Sequence, residues 1–178
     1  MPPADLIAIA RELVNRDHPR QAYLNRAMST AYYAMFHALC RNCADTLVGP
    51  EGTPDRSSHA WNQAYRAVEH GYAKNQCKRK PVMDRFPETI RNFAVYFVTL
   101  QELRHEADYD PAISFQPDEV LNAIVDAEVM IDKLNNSAKR DRQAFSVWIA
   151  MNRRHKNEEF ESNKPDWLSD KQDRQTFT

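Results

Sequence analysis

The chain has 178 residues, 42% of them hydrophobic and 28% charged, with a net charge of −1 at neutral pH. That length suits one domain with a core of its own and is short for two. No apolar run approaches the roughly 20 residues of a membrane helix, and residues 1–10 place no basic stretch ahead of an apolar one, so a cytoplasmic protein that does not enter the membrane is expected.

Three cysteines, Cys40, Cys43 and Cys77, are too few and too odd in number for a disulfide framework, and free thiols in a reducing compartment are expected. Cys40 and Cys43 have the spacing of a metal-ligand pair. Without a second pair they read as two residues on one helix turn, and neither a metal nor any other cofactor is expected. The near-zero net charge means that affinity for a polyanion must come from local segregation of charge. Two basic clusters supply it: Lys74, Lys78, Arg79, Lys80 and Arg85 against Asp84, and Lys139, Arg140, Arg142, Arg153, Arg154 and Lys156 against Asp141. Such runs are most simply solvated surfaces.

Glycine occurs three times and the ten prolines fall in clusters, leaving long stretches suited to helices. A first helix is predicted over 5–16, with Leu6, Ile9 and Leu13 on one stripe. A second, central helix over 19–47 carries Leu24, Ala27, Ala31, Met35, Ala38 and Leu39 along one side. Turn residues at 49–54 end it, and Ser57 or Ser58 caps a third helix with Trp61, Ala64, Tyr65, Val68 and Tyr72 inward. A fourth begins near Pro87 with Glu88 in its first turn, runs through Ile90, Phe93, Ala94, Phe97, Val98 and Leu103, and stops before Pro111. A fifth opens at Pro117 with Asp118 and Glu119, buries Val120, Leu121, Ile124, Ala127, Ile131 and Leu134, and continues after a break through Trp148 and Ile149. No stretch alternates like a strand. Single-striped helices can bury those stripes only against one another, so the expected fold is all-α, an antiparallel up-and-down bundle of four core helices plus a short N-terminal one. Residues 1–138 are expected to form the bundle, and 139–178 a basic helical extension with a polar tail.

Two stretches could carry chemistry. On the second helix, Arg26, Thr30, Tyr33, His37 and Arg41 share one face, a polar row that is either solvated or the floor of a cleft. Tyr32 and Phe36 read as core, and His37 alone reads first as a histidine satisfied by a hydrogen bond. At the end of the fourth helix, Arg104 and Asp108 are spaced to pair across one turn. The alternative is that Arg104, with His105 beside it, offers a forked donor set to a phosphodiester. No Gly-rich phosphate loop, Gly-x-Ser-x-Gly elbow or His-Glu-x-x-His pair is present, which removes the common NTPase, hydrolase and zinc-protease readings.

The sequences Ala31-Tyr-Tyr-Ala-Met-Phe-His37 and Leu103-Arg-His-Glu-Ala-Asp-Tyr109, in that order and on the second and fourth predicted helices, resemble the small prokaryotic HEPN-like proteins over roughly residues 5–135. The resemblance implies a homodimeric bundle, often the partner of a minimal nucleotidyltransferase in toxin–antitoxin pairs, with many relatives acting as metal-independent RNA endonucleases. Those relatives place a histidine after an arginine with four to six residues between them. Here the positions after Arg104 hold Tyr109, Asp110 and Pro111, and tyrosine is a weak base at neutral pH. The first expectation is therefore a non-catalytic RNA- or nucleotide-binding module using Arg26, Tyr33, His37, Arg104 and Tyr109, with Tyr109 open to modification by a nucleotidyltransferase partner. The second is an endoribonuclease using Arg104 with His105 or His37. A third is an assembly partner anchored by Phe145, Trp148, Trp167 and Leu168.

Overall fold

The computed structural model describes residues 2–151, and the regular elements among them are all helices: α1 (Pro3–Val14), α2 (Gln21–Leu47), α3 (Ser58–Arg66), α4 (His70–Cys77), α5 (Lys80–Met83), α6 (Glu88–Tyr109), α7 (Pro117–Asn135) and α8 (Lys139–Ala150). No helix among the described residues is long and apolar enough to cross a membrane.

The helix starts follow from local chemistry. Ser57 accepts a 3.2 Å hydrogen bond from the Ala60 amide at the head of α3. At α7, Gln116 and Glu119 form a reciprocal capping box just ahead of and behind Pro117 and Asp118. After α2 the chain turns through Gly49, whose φ of +119° and contact with Thr53 exclude a side chain.

The long helix α2 is central, with 17 of its 27 residues buried. It packs on α1, α3, α6, α7 and α8. All six residues of its expected stripe are buried, and Tyr32 and Phe36 join them. From α6 come Ile90, Phe93, Phe97 and Leu100, and from α7 Val120, Ile124 and Leu134, none of them exposed to any extent. Each such side chain contributes about 1.5–3 kcal/mol by leaving water.

Three expectations are corrected. In α1 the buried residues are Leu6, Ile7, Ala10 and Val14, while Ile9 is 44% exposed and Leu13 only half-buried. The helix faces both α2 and α7, with an ion pair from Arg11 to Glu128, and this rotates the stripe. The single third helix is two: α3 buries no residue fully, the chain breaks over 67–69, and α4 restarts at His70. Beyond the turn at 136–138, α8 inserts Phe145 and Ile149 into the same core. Phe145 is wholly buried against Phe86 and Phe93, so it is no anchor for a partner, and Trp148 is bonded into α4 through Gln76. Arg153, Arg154, Lys156, Trp167 and Leu168 lie outside the described residues.

Candidate functional site

The polar row on α2 does not stay together. Arg26 and Arg41 are exposed, and Arg41 pairs with Asp45 one turn on at 3.6 Å. Thr30 is buried and donates its hydroxyl back to the Arg26 carbonyl at 2.7 Å, a bond within its own helix. Only Tyr33 and His37, both half-buried, face neighbouring helices through their side chains.

Tyr33 meets the end of α6. Arg104 Nη2 donates to the Tyr33 hydroxyl at 3.2 Å, and its guanidinium lies 5.7 Å from the Tyr33 ring centre and 5.6 Å from that of Tyr109. An arginine between two aromatic rings is attracted to both faces. The bond to Tyr33 is the guanidinium's only side-chain hydrogen bond among the described residues. The expected helical pair is present: Arg104 Nε lies 2.7 Å from Asp108 Oδ2. Its carboxylate sits off the N–H axis, so this is an ion pair and not an aligned hydrogen bond, and Nε is left without one. Asp108 is itself fixed by the buried Ser29 hydroxyl at 2.6 Å, while Asn25 donates to the Ala107 carbonyl at 2.9 Å. These two bonds fasten the end of α6 to α2 and set the direction in which Arg104 projects. Burial opposes the Arg104 charge, but Tyr33, Asp108 and Tyr109 outweigh it and raise the group above its ordinary pKa.

His37 is one turn along α2, its Nδ1 hydrogen-bonded to the Tyr65 hydroxyl at 2.6 Å, and burial lowers its pKa. It does not touch Arg104. His105 is exposed, with its ring centre 4.9 Å from that of Tyr109. Of the expected residues the structure therefore joins Tyr33, Arg104, Tyr109 and, through Tyr109, His105; it leaves His37 in a separate contact and Arg26 in solvent.

The link between these groups is a residue that sequence reasoning missed. His70, at the first turn of α4, stacks on Phe36 with ring centres 3.6 Å apart, lies edge-on to Tyr33 at 6.1 Å, and has Nδ1 2.6 Å from the Tyr32 hydroxyl. Burial lowers its pKa, followed by the charge of Arg104 and by His37, and burial raises that of Tyr32, so both are neutral at pH 7. The Gln101 side-chain amide donates to the His70 carbonyl at 3.4 Å, while its buried Oε1 has no hydrogen-bond partner. On the other side, Tyr65 stacks on His37 at 6.0 Å and on Trp61 at 5.1 Å, and Arg56 lies 5.1 Å from the Trp61 ring. Ring by ring, a continuous string runs Trp61, Tyr65, His37, Phe36, His70, Tyr33, Arg104, Tyr109, His105, across α3, α2, α4 and α6. The sequence signal for its outer part was Trp61 and Tyr65 four apart on a helix too short to bury them. For His70 no local signal existed.

Cys40, Cys43 and Cys77 are buried thiols, each pushed up to about 12 by burial, and no group of three or more His, Cys, Asp or Glu side chains among the described residues could hold a metal ion. Chemically the site can offer a forked cation, flat rings and neutral imidazoles to a ligand carrying both phosphate and base. No family model, curated protein or solved structure matches this chain.

Proposed function

We propose that this chain is a HEPN-like antiparallel bundle that binds single-stranded RNA or a nucleotide as a homodimer, through a site centred on Arg104. The observation that carries the reading is the placement of the Arg104 guanidinium between Tyr33 and Tyr109, within a string of rings that continues to Trp61. Unpaired bases stack on aromatic and guanidinium planes, and phosphate takes the forked donors. Tyr109, 65% exposed, is the residue that a nucleotidyltransferase partner would modify, as the resemblance to HEPN-like proteins implies. The Ala-Tyr-Tyr-Ala-Met-Phe-His and Leu-Arg-His-Glu-Ala-Asp-Tyr stretches support the family assignment by supplying the two sides of the Tyr33–Arg104 contact.

Fluorescence anisotropy of a labelled single-stranded RNA, titrated at several salt concentrations, tests this. The logarithm of the binding constant is expected to fall linearly with that of salt, by about 0.7 per phosphate contacted. Absence of salt-dependent binding to RNA, together with absence of nucleotide binding, rejects the reading.

A metal-independent endoribonuclease is the second reading, favoured by one observation: the His70 imidazole and the Arg104 guanidinium both lie against the Tyr33 ring, 6.1 Å and 5.7 Å from its centre. A proton carrier beside a permanent cation is what phosphodiester cleavage uses. RNA cleavage in the presence of a chelator, lost in Arg104→Ala, is its signature; cleavage that survives the substitution removes Arg104 from the chemistry.

A further inference from the structure

The outward strip of α2 ahead of Tyr33 carries a second pairing of arginine with tyrosine. Two hydrogen bonds lay the end of α6 on this half of α2, from Ser29 to Asp108 and from Asn25 to the Ala107 carbonyl. At about 100° per residue, Tyr33, Arg26 and Tyr23 stand roughly 40°, 60° and 120° round the helix from Ser29, all in one sense. They therefore emerge on one flank of α6. Leu24, Ala27, Met28 and Ala31 take the inward side of the same stretch and are buried in the core.

Tyr23 is half-buried against two cations from the connection between α1 and α2. The Arg16 guanidinium lies 4.6 Å from its ring centre and that of Arg20 5.1 Å, while Arg20 Nη2 donates to the Tyr23 hydroxyl at 3.0 Å. Arg26 stands exposed between the two tyrosines. None of Arg16, Arg20 and Arg26 is ion-paired among the described residues. The start of α2 adds to this positive potential: Arg20 occupies the N-cap, makes no capping hydrogen bond, and no acidic residue follows in the first turn. A cation there opposes the helix dipole, and a bound anion would relieve it.

From Tyr23 to Tyr33 is ten helical residues, or about 15 Å. A stacked strand advancing about 3.4 Å per nucleotide covers that span with four to five nucleotides, and a lone nucleotide cannot. We infer that the ligand of the Arg104 site is a strand: single-stranded RNA runs along this strip, one base on Tyr23 and its arginines, backbone phosphate on Arg26, and a further base on the Tyr33–Arg104–Tyr109 stack. Rings and guanidinium planes hold unpaired bases whatever their identity, so the path sets length and not sequence. The inference rests on the reading of Arg104 as the centre of an RNA site.

Anisotropy titrations of end-labelled oligouridylates, from dinucleotide to octanucleotide, test the path in the full-length protein. Affinity is expected to climb with length until the strand covers the strip, and then to level off. For the octanucleotide, Tyr23→Ala should bind about fivefold or more weakly for want of a stacking platform. Arg26→Gln should lower the slope of the logarithm of the binding constant against that of salt by about 0.7, the share of one phosphate. The Arg26 side chain has no hydrogen bond or ion pair to lose among the described residues, so this variant reads the path even if Tyr23→Ala disturbs the fold. Equal affinity for dinucleotide and octanucleotide overturns the inference in favour of a lone nucleotide. So does an octanucleotide that both variants bind with wild-type affinity and slope. Failure of every length to bind the wild type would instead overturn the Arg104 reading itself, and the strand path with it.

Discussion

The two halves of α2 each carry a polar cluster against a neighbouring helix, and the clusters are finished differently. Toward its C-terminus, Asn42 donates to the Ser146 hydroxyl at 2.8 Å and accepts from Arg142 Nε at 2.8 Å, Thr46 donates to the Asn42 carbonyl and to Ser146, and Ser146 donates to the Arg142 carbonyl. The cluster is closed, as burial demands. Toward its N-terminus, Ser29 and Tyr33 meet Asp108 and Arg104, and there Arg104 Nε and Gln101 Oε1 lack hydrogen bonds while Tyr109 projects into solvent. A closed network on a helix is architecture. The second cluster instead ends beside the exposed Tyr109 ring, where the Arg104 guanidinium has donors beyond its one bond to Tyr33.

The contrast breaks most directly at Arg104. Arg104→Ala is expected to weaken RNA binding about tenfold to a hundredfold, the about 1.5–3 kcal/mol of hydrogen bonds to a charged group, while urea denaturation detects about 1 kcal/mol or less, because a part-exposed ion pair stabilises little. Asn42→Ala should do the reverse, costing about 1–3 kcal/mol in the same denaturation experiment by removing the acceptor of Arg142 Nε and one of the two donors to Ser146, with RNA affinity unchanged. If Asn42→Ala weakened binding as much as Arg104→Ala, the division between the two clusters would be wrong. Tyr109→Ala sharpens the comparison further: an exposed residue whose loss leaves stability within about 0.5 kcal/mol but removes about 1 kcal/mol of stacking, read as a severalfold loss in RNA affinity.

The smallest expected effect is in pH. His37 and His70 both have lowered values in the folded chain, first because of burial. The unfolded chain therefore takes up protons below about pH 6.5 while the folded one does not yet, and stability falls with pH from there until the folded values are reached. Thermal melts of the wild type and of His37→Gln/His70→Gln across pH 7.5 to 5 should show a shallower decline in the double variant; parallel curves would mean that neither imidazole is kept neutral by the fold. The Glu102 carboxyl, lowered by Lys78 and Lys74, acts only below its ordinary range and leaves this window clear.

How much of this was legible in the sequence depends on how local its cause is. The prolines and the capping residues bounded α2, α6 and α7 to within two residues, because caps are set within one turn. The apolar stripe of α2 was legible because a central helix has one dominant demand on it. That of α1 was not, since contact with two helices turned Ile9 outward in favour of Ile7 and Ala10. The break at 67–69 was invisible because no proline or glycine marks it: the residues are Ala67, Val68 and Glu69. The Arg104–Asp108 pair and the approach of Tyr33 followed from helical spacing and from the two motifs. His70, Tyr65 and Trp61 reach the site only through the packing of α3 on α2 and of α4 on α6, long-range events that no spacing within either helix encodes.

The most direct test replaces Arg104 by lysine and compares RNA affinity at one fixed salt concentration with that of the wild type and of Arg104→Ala. Lysine keeps the charge but loses the planar fork that lies between Tyr33 and Tyr109. The account predicts that Arg104→Lys falls most of the way to the alanine variant. Wild-type affinity in either variant would contradict it.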